Sequence, residues 1–231
     1  MEHPILFLVQ LCDLIGGGVA SFAHHSPHVI YSWFAMLILI VFGLLARKGI
    51  SIIPTKVQNF FEVVIGGLEE FTVDITGEEG RRFFPILATL FIYIFVCNLL
   101  GLVPGLLPPT ANLNTNAAMA IVVFIMTHVI GVMTHGPKYI KQFTGPIWWL
   151  SPLIFLLELI GHSARVLSLS IRLFGNMMGK ELVLGILFML AGAYFAPFPM
   201  LCLGLLVCFI QAFVFYLLST MYFTLALEEA H

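Results

Sequence analysis

Charge is scarce in this sequence. Only 10% of its 231 residues are Asp, Glu, Lys or Arg, against about 25% in an ordinary soluble domain. That shortage excludes a soluble fold of this length. No sign of charge dominates either: the net charge is −2, which offers no basic surface to a nucleic acid. Cysteine is limited to Cys12, Cys97, Cys202 and Cys208. No C-x-x-C pair occurs, which leaves them as small buried apolar residues rather than disulfide or metal positions. The opening "MEHPILFLVQLCDLIGG" has no basic n-region and reads poorly as a cleaved signal. Nothing calls for a cofactor. His24, His25 and His28 in "HHSPH" read as an interfacial cluster rather than a metal site. What is abundant is apolar: 60% of the residues are hydrophobic and mean hydropathy is +1.05. The composition predicts an all-α integral membrane protein, surrounded by lipid.

A crossing helix needs about 20 mostly apolar residues. Residues 29–46, 83–107 and 117–134 meet that requirement and predict three ordinary spans. Between the first two, over residues 55–76, Phe60, Phe61, Val64, Leu68, Phe71 and Ile75 recur at helical spacing. Glu62, Glu69, Glu70 and Asp74 take the other side. That pattern predicts an amphipathic helix lying at the interface. Arg47, Lys48 and Lys56 follow the first span, Arg81 and Arg82 precede the second, and Lys138 and Lys141 follow the third. The connection "PPTANLNTNAA" carries no charge. The positive-inside rule then puts residues 1–28 outside and the C-terminus in the cytoplasm.

The last third does not divide into ordinary spans. The best break is "AGAYFAPFP", which leaves helices over residues 147–190 and 197–228. At 1.5 Å per residue, helices of roughly 30 to 45 residues measure about 45–65 Å, against about 30 Å of hydrocarbon. A strongly tilted helical hairpin resolves the mismatch and presents a broad face at mid-membrane depth.

Polar residues gather on that face. Taking about 100° per residue from Arg172, Arg165 falls near 20°, Glu158 and Asn176 near 40°, and His162 near 80°. Ala164, Ser168, Gly175 and Gly179 cluster within about 80° on the other side. Small residues let another helix approach closely in lipid, and Gly175 to Gly179 is a G-x-x-x-G spacing. A charge at the bilayer centre costs about 2.5–3.5 kcal/mol on insertion scales, and arginine cannot shed its proton to escape that cost. A permanent cation on a helix contact face is well suited to meeting a carboxylate that comes and goes. Glu181, about 180° from Arg172, cannot pair with it along a straight helix, but it can titrate.

These residues carry a resemblance. "SLSIRLFGNMMGKELVLG" followed by "IQAFVFYLLSTMYFTLALEEAH" resembles subunit a of the F-type ATP synthase membrane sector. "NLLGLVPG" and "TANLNTNAAMA" are similar to the family's second span and following loop. The resemblance implies a stator past which a ring of c subunits rotates, each carrying one buried carboxylate. Protons enter by one half-channel and leave by another, coupling a proton gradient to ATP synthesis. It also implies peripheral-stalk b subunits and the rest of the complex as partners, in a bacterial inner membrane, and no bond chemistry in this chain itself. Arg172 would separate the half-channels. Glu181, Asn176 and Gln211 would line the inlet, Glu158 and Ser168 the outlet, and Gly175 and Gly179 would meet the ring.

One position departs from the family. Many members carry a His seven residues before the Gln, where this chain has Gly204, while Lys180 stands where a small residue is common. The expectation is that Lys180 occupies the space of the missing imidazole and tunes Glu181. Two other functions compete with this reading. A secondary ion antiporter would show internal repeats with paired broken helices, and none is visible. An intramembrane hydrolase needs a paired nucleophile and base, and neither His128 nor His162 has a convincing partner.

Overall fold

The computed structural model describes residues 8–10, 24–48, 56–103, 105–136, 151–191 and 197–228. Six long helices account for most of them. They are α1 (Pro27–Lys48), α2 (Lys56–Thr76), α3 (Phe84–Leu100), α4 (Leu113–His135), α5 (Ser151–Ala191) and α6 (Pro197–Leu227). Two 3₁₀ turns, Glu78–Phe83 and Pro109–Ala111, flank α3, and no strand occurs among the described residues. Four of the helical segments are long and apolar enough to cross a bilayer: Pro27–Leu45, Glu78–Leu100, Leu113–His135 and Phe198–Leu227. This is an all-α, multi-pass membrane protein. The expected break at residues 192–196, the start of the hairpin at 147–150 and most of the N-terminal segment lie outside the described residues.

The core lies where α3, α4, α5 and α6 meet. Phe84, Leu87, Phe91 and Ile94 form the buried stripe of α3, at the spacing of a single helix face. They pack with Ala212, Phe215, Tyr216 and Phe223 of α6, and with Ala120 and Val123 of α4. Helix α5 contributes Leu169, Leu173, Met177 and Lys180 as its inward stripe. Ala120 and Ala212 are 1% and 0% exposed, small residues that let helices close up where lipid gives no hydrophobic drive between them. By contrast α1 touches α3 through Ala35, which packs with Cys97 and Leu100, and leaves Trp33, Leu37, Ile40 and Phe42 exposed, as a lipid-facing helix does.

The span expected over residues 83–107 consists of two pieces. Helix α3 stops at Leu100, because Gly101 and then Pro104 cannot sustain it. The chain turns through Gly105, whose φ of 90° suits a residue without a Cβ, and folds back into the core. Thr110, expected in an uncharged external connection, is 0% exposed and donates to Asn98 Oδ1 at 2.7 Å. Helix α4 starts at Leu113 rather than at residue 117, because the Asn112 side chain accepts from the Asn114 amide at 2.9 Å and caps it.

The amphipathic α2 is docked on protein along its C-terminal half. Tyr216 OH donates to Leu68 O at 2.7 Å and is hydrogen-bonded to Thr72 Oγ1. The Phe71 and Phe213 rings lie 5.5 Å apart. Arg81 then bridges Glu69 at 3.1 Å and Glu78 at 3.0 Å. Phe61, Val63 and Ile65 in the other half stay exposed. Tyr216→Phe removes both anchoring bonds without changing the ring. The expected cost is about 1–3 kcal/mol, visible as a lower thermal midpoint of the detergent-solubilised complex. An unchanged midpoint would mean that the aromatic contacts alone hold α2.

Candidate functional site: the outward face of helix α5 and its polar backing

Helix α5 runs unbroken for 41 residues, about 60 Å at 1.5 Å per residue. With one stripe turned inward, the helix must present the opposite one. Ser168, Ile171, Arg172, Gly175 and Asn176 are all exposed. Among the described residues Arg172 makes no ion pair. A Cβ built at Gly175 or at Gly179 meets nothing within 4 Å. Among the described residues, Arg172 therefore has open space at the neighbouring glycines and no carboxylate in ion-pair contact. The side chains of Glu158 and His162 lie outside the described ones. Arg165, two turns from Arg172, sits over the Tyr222 ring at 5.5 Å.

Next to the arginine face stands a polar pair. Asn176 Nδ2 donates to Gln211 Oε1 at 2.5 Å, across 35 residues of sequence and from α5 to α6. Gln211 is only 4% exposed, whereas Asn176 keeps an open edge. Gly175, Asn176, Gly179 and Lys180 of α5 line an open cleft of about 290 Å³ with Leu203 and Gly204 of α6. Glu181 is half-buried one residue beyond Lys180.

Lys180 turns inward. It is 6% exposed, and its Nζ donates to Asn98 O and to Cys208 Sγ, each at 3.4 Å. Among the described residues it forms no ion pair with Glu181. A Cβ at Gly204 would lie 3.4 Å from Lys180 Cδ and 2.8 Å from Leu102 Cδ2. The space at Gly204 is thus bordered by two neighbours, and Leu102 is the nearer.

Sequence reasoning passes over the backing of this site. Asn98 Nδ2 donates to Cys208 O at 3.4 Å, and the Cys208 thiol donates to Asn98 O at 3.2 Å. Asn116 Nδ2 donates to Thr110 O at 2.8 Å. Asn98, Thr110 and Asn116 are 0% exposed, and Cys208, expected to be an apolar filler, belongs to the same network. The available signal is an asparagine inside an apolar span, because a buried amide in lipid demands partners. His128, by contrast, has Nδ1 2.8 Å from Phe124 O of its own helix.

The family model of the ATP synthase A chain matches residues 29–224. The chain belongs to the ATP synthase A chain family. A relative named ATP synthase subunit a, from Desulfosudis oleivorans, is 62% identical over 231 residues and the full length of both chains. Proteins of the same name from Syntrophobacter fumaroxidans and Trichlorobacter lovleyi are 57% and 52% identical, again over the whole of each chain. Subunit a names a component of a complex, not its catalytic subunit. In this chain the Asn176–Gln211 bond links the R-L-F-x-N segment to the Q-A-F segment, the two that carry the resemblance. If that bond orders the site, Gln211→Leu should lower gradient-driven ATP synthesis about two- to tenfold, the range of one hydrogen bond. Asn176→Leu should then add little to it. Independent, multiplying losses in a double-mutant cycle would show that the pair does not act as a unit.

Proposed function

We propose that this chain is the stator subunit that passes protons to and from the carboxylates of a rotating c-ring. One observation carries the reading: an intramembrane arginine on an exposed helix face, without an ion-pair partner among the described residues and beside two glycines with open space. A cation so placed is complete only when a second chain brings a carboxylate to it. Protons enter from outside through an inlet lined by Glu181, Asn176, Gln211 and Lys180. They leave to the cytoplasm through an outlet containing Glu158 and Ser168. Arg172 stands between, draws each arriving carboxyl into its ionised form and denies protons a direct path. Each proton that crosses with the field supplies about 2.3 kcal/mol per 100 mV, released as rotation of the ring. The peripheral-stalk b subunits hold this chain still. The N-terminus lies outside and the C-terminus in the cytoplasm of a bacterial inner membrane. Family membership removes the support for the antiporter reading.

The assembly is tested by cross-linking. Cysteine at Gly175 or Gly179 should form disulfides with cysteines on the carboxylate-bearing ring helix, while cysteine at Leu173, on the inward stripe, should form none. Cross-links from Leu173 but not from the glycines would reverse the assigned orientation of α5.

A further inference from the structure

Helix α3 ends at Leu100, so the carbonyls of its last turn lack intrahelical donors. The Leu102 amide donates to Leu99 O at 2.9 Å and the Val103 amide to Leu100 O at 3.2 Å. Asn98 O is served differently. It receives the Cys208 thiol of α6 at 3.2 Å and Lys180 Nζ of α5 at 3.4 Å, from 110 and 82 residues away in sequence. We propose that Lys180 is a C-terminal cap of α3 supplied by another helix, and that this cap makes Lys180 a positioning residue for Glu181. The second half of that statement rests on the reading of Glu181 as the inlet carboxyl.

The geometry supports the assignment on three counts. A basic side chain at a helix C-terminus complements the negative end of the macrodipole and satisfies a last-turn carbonyl. The acceptor is itself fixed from all sides: Asn98 Nδ2 donates to Cys208 O, Asn98 Oδ1 accepts from Thr110, and Thr110 O accepts from Asn116. The lysine stem reaches that acceptor by passing Gly204, where a Cβ would come within 3.4 Å of Lys180 Cδ. Lys180 and Glu181 are adjacent, so their side chains leave α5 about 100° apart. Anchoring the lysine to α3 therefore sets the rotation of the turn that aims the glutamate. Lys180 makes no ion pair with Glu181 among the described residues, and its anchor on α3 acts on Glu181 through the backbone of α5.

The test uses the whole complex in detergent and in vesicles, with Lys180→Met, Lys180→Arg and Asn98→Ala. The first readout is backbone hydrogen exchange over residues 99–103, which needs no proton transport. Lys180→Met, of similar length but without a donor, should raise exchange there about tenfold, as for a helix end that loses its anchor. Lys180→Arg should restore protection. The second readout is gradient-driven ATP synthesis. It should fall about fivefold in Lys180→Met, recover in Lys180→Arg, and fall comparably in Asn98→Ala, with the Asn98→Ala, Lys180→Met double variant no worse than either. Should Asn98→Ala fail to assemble, Thr110→Val removes only the hydroxyl that holds Asn98 Oδ1 and should act in the same direction. Unchanged exchange in Lys180→Met overturns the cap. Raised exchange with unimpaired synthesis overturns the positioning of Glu181. Failure of the proton-path reading is recognised separately, by an Arg172→Ala complex that still makes ATP from a gradient.

Discussion

Arg172→Ala is expected to abolish ATP synthesis driven by a proton gradient, a loss of at least about a hundredfold, the scale of removing one preorganised charge-stabilising group. The structure separates this effect from misfolding. Arg172 is exposed and makes no ion pair among the described residues, so its removal leaves no buried group unsatisfied among them. Assembly of the complex should be unchanged while coupling disappears. Arg172→Lys should also fail largely. Lysine is a compact cation that can lose its proton when desolvated, whereas arginine keeps both its charge and its planar donor geometry. ATP synthesis in vesicles, normalised to assembled complex, checks both variants.

The next largest effect is expected from steric bulk at the contact ridge. Gly179→Leu adds a side chain where a Cβ meets nothing within 4 Å among the described residues. Overpacking a close interface costs about 1–3 kcal/mol, and if this face meets the ring as proposed, every ring subunit would meet the obstacle in turn. Coupled synthesis should therefore fall at least about tenfold, with Gly175→Leu similar and Gly175→Ala milder. The subunit should remain stably folded, because its own core does not see the substitution. Normal synthesis in both leucine variants would show that these glycines face lipid rather than a moving helix.

The parts of the site legible in the sequence are those where polarity breaks an apolar background on one helix. Arg172, Asn176, Gly175 and Gly179 can be placed on a face because 100° per residue needs no knowledge of neighbours. The length of α5 is equally readable, since no Pro or charge cluster interrupts residues 153–191. What the sequence hides depends on contacts between distant segments. Asn98 and Cys208 are 110 residues apart, Lys180 and Asn98 82, and Tyr216 and Leu68 148. A helical wheel assigns Lys180 a direction but not the helix it meets, so its hydrogen bond to Asn98 is out of reach. The fold-back after α3 escapes for a related reason. Leu102, Val103, Leu106 and Leu107 keep the segment apolar, and only Gly101, Pro104 and Gly105 mark the turn.

The central claim is that this chain provides the proton path along the ring, and proton flux measures it most directly. Vesicles holding the membrane sector, charged with a potassium diffusion potential, should take up protons when this subunit is present. Uptake should stop after treatment with a carbodiimide that modifies carboxylates in the apolar phase. Vesicles holding the ring without this subunit should remain tight. Equal proton flux with and without the subunit, or flux indifferent to the carbodiimide, would contradict the account.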